Sequence, residues 1–410
     1  MNRIIIVGNG FDLAHSLKTK YEDFINWYWG NWLCKLKKCS KVSMSDGLFE
    51  IKTNSYPDFL SRYFYGNPTC GNLYKHIENV RQENRLSCII SPILERISKS
   101  IETKGWVDVE ADYYAMLVEC KGKKEELERL NKDFAVVQCL LVEYLTEIQH
   151  KKINKEVLIE EIQNQILSPF YANEMSIESN LLWRTFATKR VNDDKGGYRQ
   201  HLIDFGFENV DCNYLDGIGH REYSKLVDGK EVNDEMGHLL FLPNRVMLLN
   251  FNYTKTADLY LPQNGRFICN HIHGRLENPE TVVFGYGDES DDEYKKLQKI
   301  NDNEYLRHIK TNRYLETPNY RDLLAFIDSA PFQVCIMGHS CGLSDRTLLN
   351  TLFEHRNCVS IKPYYYVNEQ GKDNYLDIVQ NISRNFTNPQ LMRDRVVNKT
   401  FCEALPQFCK

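Results

Sequence analysis

The sequence predicts an α/β protein whose mostly parallel sheet has helices on both faces and is interrupted by a large helical insertion. Three observations carry this reading. The chain opens on a continuous apolar run, Ile4-Ile5-Ile6-Val7, closed by Gly8-Asn9-Gly10. A β-branched run without polar alternation suits a strand buried on both faces, as strands of a parallel sheet are. Later, strand-like runs at 245–251, 267–272, 281–285, 332–337 and 359–367 alternate with helical patterns at 291–309, 320–329 and 344–355. Strands separated by helices imply crossover connections and therefore parallel pairing. Between these two parts, residues 58–168 are helix-patterned almost throughout.

Taken in order, the opening strand ends at a glycine turn. A helix is expected over 15–32, where Leu17, Tyr21, Phe24, Ile25 and Tyr28 recur every three or four positions. In the middle region, amphipathic stretches run over 86–100, 111–118 and 127–167, and the charge-rich segment 121–132 reads as a solvated face. Gly196-Gly197 and the Asp-, Asn- and Gly-rich stretch 209–237 read as turns and loops covering a site. The expected organisation is a core of 1–57 and 169–410 with 58–168 inserted into it.

At 410 residues the chain exceeds what one hydrophobic core usually supports. With 42% hydrophobic and 26% charged residues it has ample material for a packed interior. A net charge of -5 offers no overall basic field, which disfavours bulk nucleic-acid binding. The thirteen cysteines are scattered without a C-x-x-C pair, which points to buried, reduced thiols. The apolar start is too short for a signal peptide, and no run reaches the ~18 residues that span a bilayer. A cytoplasmic protein with no membrane association is expected.

Four segments hold the candidate chemistry. Gly8-Asn9-Gly10-Phe11-Asp12 sits where a buried strand gives way to a helix, a place where backbone N–H groups can face a phosphate. It lacks the third glycine of the dehydrogenase fingerprint, and a tight strand-to-helix turn is the alternative. Asn252 and Thr254 follow an apolar strand and are placed to hydrogen-bond a ligand, or to cap a helix. In Asn270-His271-Ile272-His273-Gly274, alternation puts both histidines on one strand face, with Gly274 leaving room beside His273. One is a candidate general base, with a satisfied structural histidine as the alternative, and a metal pair is the lesser reading because no third ligand stands at a familiar spacing. The fourth segment, Gly338 to Asp345, is a second glycine turn. Ser344 or Asp345 would cap the next helix, and Ser340 fits a G-x-S-x-G nucleophile elbow for which His355 is a poor partner. Asp108 and Glu110 read as a solvated helix start or as an acidic pair.

The opening Ile-Val-Gly-Asn-Gly-Phe-Asp-Leu-Ala-His, followed by Leu17, Thr19 and Tyr21, resembles the signature of the AbiH family of phage abortive-infection proteins. The blocks at 250–254, 271–274, 283–287 and 338–348 resemble that family's later blocks in the same order. The family pattern has glycine where this chain has Ser16, so a left-handed conformation there would be strained.

The order of blocks is also similar to sirtuin-like NAD-consuming domains, which have a Rossmann-like core. That resemblance implies a pyrophosphate turn at Gly8 and Gly10, a catalytic asparagine at Asn252, a catalytic histidine at His273, and a late block at Gly338, Ser340 and Asp345. Asp12 stands where the sirtuin-like pattern has serine, and the paired cysteines of the sirtuin zinc ribbon are absent, which argues against protein deacylation.

These readings imply an NAD-type nucleotide as substrate or ligand, held by Gly8, Asn9, Gly10, Phe11, Asp12, Thr254, Gly338, Ser340 and Asp345. Asn252 and His273 would act on it, with no metal or cofactor required. A nucleotide-binding sensor is the second expectation, and a metal-dependent nuclease using Asp12, Asp108 and Glu110 the third. Expected partners are a phage or host trigger protein and further copies of the chain.

Overall fold

A computed structural model describes residues 1–65, 73–80, 86–104, 108–192, 195–210, 215, 220–228, 235–262 and 264–408. In chain order its strands are β1 (Asn2–Val7), β2 (Ser43–Ser45), β3 (Phe49–Thr53), β4 (Leu86–Ile90), β5 (Val246–Asn250), β6 (Phe267–His271), β7 (Phe332–Met337) and β8 (Cys358–Tyr364). The chain divides into two compact units. The first comprises Met1–Leu17, Lys152–Val283 and Tyr314–Lys410; the second comprises Lys18–Lys151 and Phe284–Arg313. The second unit thus begins and ends earlier than the expected insertion of 58–168, and it is completed by a segment from the C-terminal half.

In the first unit, five strands form a sheet ordered β6-β5-β1-β7-β8 in which every neighbouring pair is parallel. β1 is central because it can be covered on both faces. Ile5 and Val7 enter one core with Val246, Leu248, Cys335 and Met337. Ile4 and Ile6 enter the opposite core with Met247, Leu249, Val334 and Ile336. Each such side chain contributes about 1.5–3 kcal/mol of burial. Helices Glu160–Leu167 and Asn180–Asn192 supply Ile162, Ile166 and Trp183 to the first core, while Asn319–Ser329 and Arg346–Phe353 supply Phe326, Ile327 and Leu349 to the second. The result is a Rossmann-like α/β sheet with both faces covered.

The chain moves from β1 out through β5 and β6 on one side, then returns past β1 to β7 and β8 on the other. Strand order therefore reverses at β1, and crevices of open α/β sheets form beyond the C-terminal ends of strands at such a point.

The second unit contains the antiparallel sheet β2-β3-β4 and, among the described residues, is otherwise mainly helical, with its longest helix at Lys124–Lys152.

Several elements differ from the sequence reading. The helix expected over 15–32 begins only at Tyr21 and runs to Lys37; a separate short helix, Asn9–Ala14, precedes it, and Ser16 between the two has φ 58°. The start of 86–100 is β4, because pairing with β3 outweighs the local helical pattern; the helix begins at Pro92, where a missing N–H costs nothing. Residues 281–285 are not a strand: a 3-10 helix ends at Thr281, and Val283 N–H bonds His273 O at 2.9 Å. The 291–309 helix breaks at Asn301, φ 58°, into Asp292–Gln298 and a 3-10 turn Asn303–Leu306. Gly196-Gly197 lies within helix Lys195–Asp204. The stretch 209–237 contains helix His220–Val227, and its segments 211–214, 216–219 and 229–234 lie outside the described residues. No described helix is long and apolar enough to cross a membrane.

Candidate functional site

The first two glycine segments meet. Gly10 N–H donates to Gly338 O at 2.7 Å and Gly8 N–H to Met337 O at 3.2 Å. A Cβ on Gly8 would lie 2.4 Å from His339 Cα, one on Gly10 2.8 Å from Gly338 Cα, and one on Gly338, whose φ is +75°, 2.0 Å from Phe11 N. These glycines let two turns, 330 residues apart in sequence, touch backbone to backbone. Phe11 N–H donates to Gly8 O at 2.8 Å. The amides of Gly8, Gly10 and Phe11, expected to face a pyrophosphate, thus donate within the chain, and Phe11's ring is in the core. Asn9 is exposed at the tip of the turn.

Beyond β5, Asn252 Nδ2 donates to Gly8 O at 2.9 Å, which ties the β5 loop to the β1 turn. The loop is shaped by Asn250, the last residue of β5. Its Oδ1 accepts Asn252 N–H at 3.0 Å and its Nδ2 donates to Thr254 O at 2.9 Å. Thr254 Oγ1 donates to Asp12 Oδ2 at 2.6 Å. Asp12 is fully buried, and its Oδ1 has no hydrogen-bond partner among the described residues. Burial pushes the Asp12 carboxyl up to about 6, against the opposing hydrogen bond from Thr254.

The two histidines do not share a strand face. β6 ends at His271, and the chain turns there, with Gly274 N–H donating to His271 O at 3.0 Å. His271 Nε2 lies 3.1 Å from each carboxylate oxygen of Asp258, and its Nδ1 lies 3.3 Å from Asn250 Nδ2. His273 packs elsewhere: Nδ1 lies 3.2 Å from Phe251 O, and Nε2 lies 3.1 Å from Tyr314 Oη and 3.2 Å from Asp345 Oδ1. Gly274 does not leave ligand space, because a Cβ there, at φ +86°, would meet Thr281 O at 2.2 Å. Its glycine serves the turn.

Asp345 is the N-cap residue of helix Arg346–Phe353, yet its side chain makes no capping bond. The carboxylate faces His273 instead, with His339 Nε2 at 3.6 Å from its other oxygen. The ring of Phe251 lies against both histidines, with centroids 5.0 Å and 4.3 Å away. All three polar groups are buried. The sequence reading missed His339 and Tyr314. His339 stood inside the quoted glycine segment; Tyr314 carried no local signal.

The loop after β7 is held in a strained form. Cys341 has φ 54°, its N–H donates to His339 Nδ1 at 3.0 Å, and Asn385 Nδ2 donates to Cys341 O at 2.9 Å. Ser340 is exposed there. His355 packs its ring at a tilt against Phe332, at the opposite end of β7 and roughly 15–20 Å away by strand rise, so the elbow lacks that histidine. In the second unit, Asp108 caps helix Val109–Glu119, and Glu110 pairs with buried Lys310 at 2.9 Å, so both carboxylates have structural partners. Trp106 and Val107 lie outside the described residues.

Polar side chains thus gather past the C-terminal ends of parallel strands, around the strand where the order reverses. Residues 4–366 match the family described as Bacteriophage abortive infection AbiH. The chain belongs to that family, and its class of role is phage abortive infection. No curated protein and no solved structure matches it.

Proposed function

We propose that this chain binds NAD or a closely related nucleotide beyond β1, β5 and β6 and hydrolyses its nicotinamide–ribose bond. The observation that carries the reading is the His273–Asp345 pair beside the Asn252 loop: a buried imidazole with a carboxylate at 3.2 Å and an asparagine anchored to the first glycine turn. The nicotinamide ribose would lie between Asn252 and His273, with the diphosphate on the outward side of the turn at Asn9. The C1′–N bond breaks with its electron pair leaving on nicotinamide, and water oxygen bonds C1′. The water proton passes to His273, whose positive charge Asp345 then offsets. A ligand group reaching Nε2 would replace or extend the Tyr314 contact.

A second reading, a nucleotide-binding sensor engaging a phage or host component without turnover, is favoured by the internally bonded amides of Gly8, Gly10 and Phe11. The deciding experiment measures nucleotides by mass spectrometry in infected cells carrying wild type or Asn252→Ala. NAD loss with release of nicotinamide only in wild type supports hydrolysis. Phage exclusion with unchanged NAD overturns it in favour of the sensor.

A further inference from the structure

Asp258, Cys269 and His271 form a second polar cluster in the first unit, and their donor atoms all lie within 4.8 Å of one another. Cys269 and His271 are two apart on β6 and so project to one face, and Asp258 reaches them from the 3-10 helix Ala257–Tyr260. We propose that these three residues bind a zinc-class transition-metal ion.

The donor chemistry selects the metal. Thiolate, imidazole and carboxylate are zinc ligands, with bonds of about 2.0–2.3 Å. A thiolate disfavours magnesium and calcium, which take oxygen ligands. Three protein ligands leave a fourth tetrahedral position for water or another ligand. Since the His271 ring and Asp258 already lie 3.1 Å apart, closing on an ion between them needs only small side-chain movements. Arg275, whose Nη1 is 3.5 Å from Asp258 Oδ2, is partly exposed and has solvent to swing into.

Loading has a defined proton balance. Cys269 gives up its thiol proton to solvent, and the neutral His271 ring carries its proton on Nδ1 so that Nε2 can bind the metal. Nδ1 then faces Asn250, whose amide must present oxygen in place of nitrogen. Asn250 holds Asn252 N–H and Thr254 O, so metal occupancy acts on the loop that carries Asn252. The site stands apart from the nucleotide reading and does not depend on it.

Cobalt(II) added to the chelator-treated full-length protein tests this. The expected result is one equivalent bound with a thiolate-to-cobalt charge-transfer band that zinc abolishes. Cys269→Ser should remove the band, and Asp258→Asn and His271→Gln should each weaken binding about tenfold or more. Cys34→Ser with Cys139→Ser, which removes two exposed thiols, should leave it intact. Circular dichroism checks the fold of each variant. If Cys269→Ser misfolds, the exposed-thiol variant and His271→Gln decide. A wild type without the band, a band that survives Cys269→Ser, or one lost with Cys34 and Cys139 overturns the site.

Discussion

Asp345 Oδ1 lies 3.2 Å from His273 Nε2, although Asp345 occupies a helix N-cap where its side chain would ordinarily bond the first backbone N–H groups. A carboxylate withdrawn from capping and turned toward a buried imidazole gives the histidine a counter-charge. If His273 is the base, His273→Ala lowers NAD hydrolysis by roughly 100- to 10,000-fold. Asp345→Asn preserves the shape but not the charge and lowers it by about tenfold or more. The check is NAD consumption and plaque counts at matched soluble levels. Full activity in a well-folded His273→Ala would remove the assignment.

The contact between the two glycine turns sets a stability prediction. Gly338→Ala forces a side chain into the left-handed region and onto Phe11 N, for a loss of about 2–5 kcal/mol in urea or thermal unfolding. Gly371 is the control: its φ is similar, +76°, but open space surrounds it, so Gly371→Ala should cost only about 1–2 kcal/mol. Equal losses at both positions would show that the backbone contact contributes nothing.

Ser16 provides the converse case. It is exposed and held at φ 58°, where a β-carbon is penalised. Ser16→Gly should stabilise the protein by about 1 kcal/mol, read as a higher denaturant midpoint with an unchanged slope. A lower midpoint would mean that the serine side chain contributes more than its conformation costs.

Asp12 makes stability depend on pH. Its folded pKa, about 6, is above the ordinary 3.8, so the native state binds the extra proton and Asp12's contribution is full below pH ~4. That contribution falls as pH rises through about 6, by on the order of 3 kcal/mol for a shift of roughly two units. Asp12→Asn should therefore flatten the stability profile between pH 4 and 6, because the amide oxygen can still accept from Thr254. A profile unchanged by the substitution would mean that Asp12 does not titrate there.

The main parallel sheet was legible because its signal is local: unbroken apolar runs at 4–7, 246–249 and 334–337 state that both faces are covered. Elements whose identity depends on a distant partner were not. Leu86–Ile90 reads as helix until β3 pairs with it, and 281–285 reads as strand although it has no ladder partner among the described residues. The same division runs through the site. Asn252, His273 and Gly338 each follow a strand and could be found by position. The histidines' separate surroundings could not, because they depend on where β6 stops, a question of backbone pairing rather than of side-chain alternation. Tyr314 and the Asn250 bonds arise only from packing.

The central position of β1 also orders events in time. Val7 has left the ribosome long before its partners β5 and β7 are made, the nearer of which begins at Val246. At about 5–20 residues per second, that leaves roughly 10–50 s in which the first glycine turn has neither its sheet nor the Gly338 backbone it packs against. A nascent chain, or one truncated before β7, therefore cannot assemble the polar cluster at all, because Gly338, His339 and Asp345 all follow that strand.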